Sequence, residues 1–280
     1  MHATTFDFTL LVALGSFLAG LLGALTGLGG GVVIVPFLTL LFHVDIRYAI
    51  GASLVSVIAT SSGAAAAYLK EGYSNMRVGM FLEVATSIGA VCGAFLATRI
   101  PTAAIAVIFG VVLIYSAWAT IKPDADVSPS EPQDRLAALL KLDGAYPAPA
   151  GRREYHVRNV PGGFGLMYVA GVLSGLLGIG SGAVKVLAMD RAMRIPFKVS
   201  TTTSNFMIGV TAAASAGIYL HRGYIDPGLA MPVMLGVAAG ALFGARILPG
   251  AKVRTLRLVF AVAIAAIAIE MIIKGFGGSI

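Results

Sequence analysis

The chain repeats itself at an offset of 151 residues, and each copy centres on a glycine-rich break within apolar sequence. Gly20, Gly27, Gly29 and Gly31 fall on Gly171, Gly178, Gly180 and Gly182. Leu22, Leu25, Val33 and Val35 fall on Leu173, Leu176, Val184 and Val186. The register continues without a gap through Arg47 on Lys198, Ser53 on Ser204, Thr60 on Thr211, and Gly72-Tyr73 on Gly223-Tyr224. A duplicated unit with interrupted apolar segments at matching places is the pattern of a membrane protein that binds its ligand where the breaks meet.

Composition supports the membrane. Hydrophobic residues make up 58% of the chain and charged ones 12%, with a mean hydropathy of +0.89. A soluble domain carries about 25% charged residues. Apolar stretches of 18 residues or more read as spans. The 35 glycines suit close helix packing in lipid. The net charge of +7 does not indicate nucleic acid, because no basic run exceeds two residues and the basic residues of the central loop stand beside acidic ones. The single cysteine, Cys92, excludes an internal disulfide or a CxxC site. Met1–Asp7 carries no Lys or Arg, so the expectation is that it is not a signal peptide.

The expected fold is an all-α integral membrane protein: an inverted repeat of two halves with five apolar helical segments each. Residues 1–121 form the first repeat, 122–163 a linker and 164–280 the second repeat. The segments lie near 8–26, 32–43, 48–69, 78–98 and 102–121, then 164–177, 183–189, 199–220, 228–245 and 256–273. The second segment of each half is too short to cross about 30 Å of hydrocarbon at about 1.5 Å per residue. It is either a half-helix or the return arm of a re-entrant hairpin. Within the linker, Asp134–Leu142 is expected to form one short helix, and the rest to be irregular and solvated.

Lys and Arg accumulate on the cytoplasmic side. In half one, Arg47 and Arg99 follow segments two and four. The other side holds Lys70, Arg77, Lys122, Arg135, Lys141, Arg152, Arg153 and Arg158. In half two the bias reverses. Arg191, Arg194, Lys198, Arg246, Lys252, Arg254 and Arg257 follow segments two and four, against Arg222 and Lys274 opposite. Reversal of the bias predicts inverted repeats, a cytoplasmic linker and both termini outside.

The candidate site follows from residue chemistry. Glycine within a helix costs roughly 1 kcal/mol against alanine. A helix that restarts after a break offers N–H groups and a positive dipole end to an anion. Gly29, Gly30 and Gly31, with Gly180, Ser181 and Gly182, are therefore expected to bind substrate; the competing reading is close helix crossing. Ser53 and the run Thr201, Thr202, Ser204 and Asn205 add uncharged donors. Lys185 replaces Ile34 of the first copy. A lysine deep in lipid costs several kcal/mol unless paired or solvated, so it is read as a substrate counter-charge, with snorkelling as the alternative. Ser61, Ser62 and Thr211 are expected to bond the preceding turn of their own helix or a neighbouring helix. Glu83 and Glu270 are read as interfacial or paired with a base before they are read as proton relays. His43 and His221, at segment ends, are read as interfacial rather than metal-binding. No HExxH, Ser-His-Asp or paired-carboxylate pattern is present, so no enzyme, cofactor or metal is expected.

These features resemble the TauE/SafE family of sulfite exporters and related anion permeases. The residues that carry the resemblance are Gly27 to Pro36, Ala49-Ile-Gly-Ala-Ser53, Gly72-Tyr73, and Gly89-x3-Gly93-Ala94 ahead of Arg99-Ile-Pro101. The second copy keeps Gly178-Ile-Gly-Ser-Gly182, Gly223-Tyr224, and Gly240-Ala241 ahead of Arg246-Ile247. It departs at Ser181, Lys185 and Leu187, and the linker is long. The resemblance implies export of sulfite or an organosulfonate across the inner membrane; the duplication adds the expectation of alternating access, and a permease for small carboxylates or other organic anions is the alternative reading. The expected partners are the bilayer and a small anion, with a homodimer left open and no nucleic acid.

Overall fold

The computed structural model describes residues 5–26, 30–121, 134–148, 151–247 and 253–277. In the first half these form α1 (Thr5–Thr26), α2 (Gly31–Leu41), α3 (Ile46–Glu71), α4 (Met76–Ala97) and α5 (Thr102–Ile121). The second half forms α7 (Val160–Leu177), α8 (Gly182–Leu187), α9 (Phe197–His221), α10 (Pro227–Ile247) and α11 (Val253–Phe276). A π-helical turn, Ala188–Ala192, extends α8. Between the halves lie α6 (Arg135–Leu139) and an antiparallel hairpin, β1 (Gly144–Ala148) with β2 (Gly151–Tyr155).

Boundaries follow local chemistry. Asp45 caps α3 through Arg47 N–H at 2.8 Å, and Gly72 ends that helix in the left-handed region at φ 72°. Asn75 caps α4 through Val78 N–H at 3.1 Å. Asp226, ahead of Pro227, accepts from Gly228 N–H at 2.6 Å. Each is a side-chain oxygen meeting an N–H that the helix leaves unpaired. α2 has 11 residues, which at about 1.5 Å each is about half a bilayer.

α4, α7 and the Pro227–Gly244 stretch of α10 are long and apolar enough to cross a membrane. On α4, the exposed Met80, Val84, Ile88, Val91 and Phe95 recur every three or four residues, a continuous apolar face for lipid.

The halves pack reciprocally: α1 lies on α10 and α4 on α7, α3 meets α9, and α5 meets α11. Two of these seams are built on glycine. A methyl at Gly89 or Gly93 would overlap the Tyr168 or Val172 carbonyl of α7, and one at Gly171 or Gly175 would overlap the Thr86 or Ala90 carbonyl of α4. The α1–α10 seam repeats this, with Gly20 against Val237 and Gly240 against Phe17. The small residues let backbones touch where lipid supplies no hydrophobic drive between helices. On α4–α7 the contacts Thr86–Gly171 and Ala90–Gly175 rise together, and on α1–α10 so do Ala13–Gly236 and Phe17–Gly240, so these pairs run parallel. In α5–α11 Gly110 meets Ala268 and Ile272 while Gly275 meets Ala103, and in α3–α9 Gly209 meets Ser61 while Tyr48 meets Tyr224; both pairs run antiparallel.

The linker departs from the irregular, solvated segment expected. α6 forms inside the predicted stretch, capped by Asp134 at 3.0 Å. Ala137, Leu142, Tyr155 and Val157 are buried in a second core with Val78, Leu82, Met189, Met193 and Val199. Gly144 to Ala148 and Gly151 to Tyr155 pair as strands because this apolar foot anchors them, a tertiary contact that no local pattern announces.

Candidate functional site

Two helix breaks meet tip to tip. Gly31 opens α2 and Gly178 closes α7; a methyl on Gly31 would lie 3.2 Å from the Gly178 carbonyl. Ser53 of α3 is buried and bridges the breaks. It donates to the Gly178 carbonyl at 2.8 Å, with the Gly31 carbonyl at 3.5 Å. Its repeat mate Ser204 donates to the Gly182 carbonyl at 3.4 Å. At the described position that can be compared, the backbones differ: Gly30 is right-handed at φ −66°, whereas its repeat mate Ser181 sits at φ 42°, next to Gly178 and Gly180 at φ 67° and 68°. A non-glycine residue there is strained by about 1–2 kcal/mol.

The other expected residues divide. Gly29 lies outside the described residues. Gly180 and Gly182 press against Ile208 of α9, which holds the second tip. The Ser181 hydroxyl turns back to the Ala170 carbonyl at 2.6 Å, so its proton is committed to α7. Thr201 and Thr202 donate to the preceding turn of α9, to Phe197 and Lys198 carbonyls at 2.9 and 3.0 Å. Ser61 and Ser62 likewise bond their own helix, at the Ile58 carbonyl. Asn205 is half-buried. Thr203, within the same polar run, accepts the Asn75 N–H at 3.0 Å.

Lys185 is fully buried. Snorkelling to water is therefore not what this side chain does. Its Nζ donates to Thr211 Oγ1 at 2.5 Å, and Thr211 lies 2.7 Å from Glu83 Oε1. Ser87 also donates to Glu83 Oε1, at 2.9 Å. A hydroxyl has one proton, so Thr211 accepts from the lysine and donates either to Glu83 or to the Met207 carbonyl at 2.9 Å. The network joins α4 of one half to α8 and α9 of the other. The sequence reading gives Thr211 an ordinary helix bond and Glu83 an interfacial place or a basic partner; Glu83 does pair with a base, through the Thr211 hydroxyl. Its place well inside a span was the available signal.

The two ends of this assembly are also reciprocal. The Arg47 guanidinium lies over the Tyr224 ring at 5.8 Å, and Lys198, its repeat mate, over Tyr73 at 5.6 Å. Asn75, absent from the sequence-based candidates, ties the linker to the second end. Its Nδ2 donates to the Leu142 carbonyl at 2.8 Å and to Tyr155 Oη at 2.7 Å. Burial pushes the Tyr155 phenol up to about 12; the Asn75 bond opposes that and Asp143 adds to it. Among the described residues no group of His, Cys, Asp and Glu has the clustering of a metal site.

Comparison with known proteins identifies the family. The sequence profile of the family described as sulfite exporter TauE/SafE matches residues 12–271. The chain is 28% identical over 276 residues to the probable membrane transporter protein YunE of Bacillus subtilis, covering 96% of this chain and 98% of YunE. It is 28% identical over 244 residues to the probable membrane transporter protein YdhB of the same organism, covering 85% and 89%. A probable membrane transporter protein of Haemophilus influenzae is 27% identical over 292 residues, covering 96% and 100%. No solved structure matches. The chain belongs to the sulfite exporter TauE/SafE family and is a membrane transporter.

Proposed function

We propose that the chain exports a small sulfur-containing oxyanion, sulfite or an organosulfonate, across the bacterial inner membrane by alternating access. The carrier is an inverted repeat of five plus five segments, with the linker in the cytoplasm and both termini outside. The anion sits between the two breaks. Backbone around Gly29–Gly31 and Gly180–Gly182 donates to it, with Ser53, Thr202, Ser204 and Asn205 alongside and Lys185 as the positive charge.

The observation that carries the reading is the meeting of Gly31 and Gly178, bridged by Ser53. Irregular backbone at membrane depth is tolerated only where protein buries it or a wet cavity opens beside it. Inversion is supported by direction: equivalent segments α3 and α9, and α5 and α11, run antiparallel, while α4 with α7 and α1 with α10 run parallel. An upright duplication would give the opposite set. The linker docks beside Lys198 and Tyr73, and Arg47 with Tyr224 marks the other end. That agrees with the reversed Lys and Arg bias.

Purified protein in liposomes should carry sulfite with saturable kinetics, and an organosulfonate should compete. Competition by pyruvate or acetate with none by sulfonates would transfer the site to carboxylates. Non-saturable flux would point to an uncoupled channel and sink alternating access.

A further inference from the structure

We propose that Glu83 is a proton-binding site that couples anion movement to protons by releasing Lys185; this rests on the anion reading above. Glu83 is 7% exposed and Lys185 0%. Glu83 Oε1 receives Thr211 and Ser87, while its Oε2 is buried with no hydrogen-bond partner. Oε2 is therefore the atom that takes the proton.

The fold does not need these charges. The repeat mates of Lys185, Thr211 and Glu83 are Ile34, Thr60 and Met234. Ile34 is fully buried and Thr60 bonds its own helix at 3.0 Å, so the same packing is made elsewhere with hydrocarbon and one hydroxyl. A buried ion pair is commonly no more stabilising than its apolar replacement, and charge inside a membrane is expensive. Its presence in one half alone marks function rather than architecture.

Position supplies the link to substrate. Lys185 is one turn past Gly182, and Thr211 is one turn past Ile208, the residue pressed against Gly180 and Gly182. Without substrate, ammonium and carboxylate neutralise each other through Thr211. A monovalent anion arriving at Lys185 adds an uncompensated negative charge. Protonation of Glu83 removes that excess and frees the ammonium, so the loaded carrier holds one anion and one proton and is neutral at this locus; export on such a carrier proceeds when the outward anion ratio exceeds the opposing proton ratio. Among the described side chains, the other charged or titratable groups on the elements packed here are Arg77 and Cys92 on α4, Tyr168 on α7, Asp190 and Arg191 on the π-turn, Lys198, Tyr219 and His221 on α9, Arg47 and Tyr48 on α3, and Tyr115 on α5. Among the described residues only Lys185 is joined to Glu83 through hydrogen bonds.

The test uses the full chain in liposomes with radiolabelled methanesulfonate, a permanent monoanion with no neutral form to leak, and protein-free liposomes as the control. Exchange at equal pH shows whether the anion is carried. A gradient of one pH unit should then concentrate it about ten-fold on the alkaline side, since one unit is a ten-fold ratio for one proton per anion. A trapped pH dye should record that proton in the wild-type protein, which keeps the test independent of variant folding. E83Q, whose amide copies the protonated carboxyl, should exchange at a rate that no longer depends on pH and should not concentrate the anion. Exchange without any response to the gradient, or undiminished accumulation by E83Q, overturns the coupling. Absence of exchange with both methanesulfonate and sulfite overturns the anion reading, and the coupling falls with it.

Discussion

Lys185 is tolerated because Thr211 and Glu83 receive it, and each member then depends on the others. Removing one charge strands its partner in a dry interior, which costs about 3–5 kcal/mol, whereas replacing both is commonly neutral. E83M alone and K185I alone, each copying the mate in the other half, should therefore lower the melting temperature of the detergent-solubilised protein sharply. The double variant should recover most of that loss while transport stays absent. Additive losses in the double variant would mean that the two residues do not act as a pair. At Ser53, S53A leaves the Gly178 carbonyl without its 2.8 Å donor, a cost of about 1–3 kcal/mol for a buried acceptor. S204A should cost less, because its bond to Gly182 is 3.4 Å. Equal melting temperatures for the two variants would contradict the bridging role of Ser53.

The glycine seams give the elements a symmetric test. Gly171 faces the Thr86 carbonyl and its mate Gly20 faces that of Val237. G171V and G20V should each reduce the folded yield, by similar factors, since a side chain forces two backbones apart and overpacking costs about 1–3 kcal/mol. A large loss in one and none in the other would break the equivalence. The hairpin has a pH signature. The unfolded Tyr155 phenol loses its proton near 10.0 and the folded one near about 12. Its folded value is raised, so the stability it contributes is whole below pH 10 and is lost as pH climbs to about 12. The tyrosinate absorbance difference between wild type and Y155F should have its midpoint near 12, and a midpoint near 10 would mean the hairpin is not docked. The helical character and approximate extent of the described apolar segments were legible because long charge-poor runs are a local signal. The hairpin was not, since Tyr155 in β2 and Leu142 ahead of β1 are held by burial with Val78 and Met193. Nor was the Glu83 network, whose members are separated by 128 residues at Thr211 and joined only by the packing of α4 on α9.

For the whole molecule, the repeat was legible from its 151-residue register, the proposed inversion rests on the reversed Lys and Arg bias, and the directions of the paired helices agree with that bias. What register and bias could not supply is where each hydroxyl goes: Ser181 and Thr202 donate to α7 and α9, whereas Ser53 donates across to the Gly178 carbonyl at the second break. On a C92S background, cysteines at Asp45 and Asp226 should react with an impermeant reagent from the periplasmic side, and one at Glu154 only from the cytoplasmic side. Labelling of Asp45 and Glu154 positions from the same side would contradict the proposed topology. The most direct measurement is a crystal structure with selenite, a sulfite analogue that scatters anomalously. The account predicts an anomalous peak between the two tips, in contact with Ser53 or Ser204 and within reach of Lys185. A peak elsewhere, or none there at selenite concentrations that block sulfite flux, would contradict it.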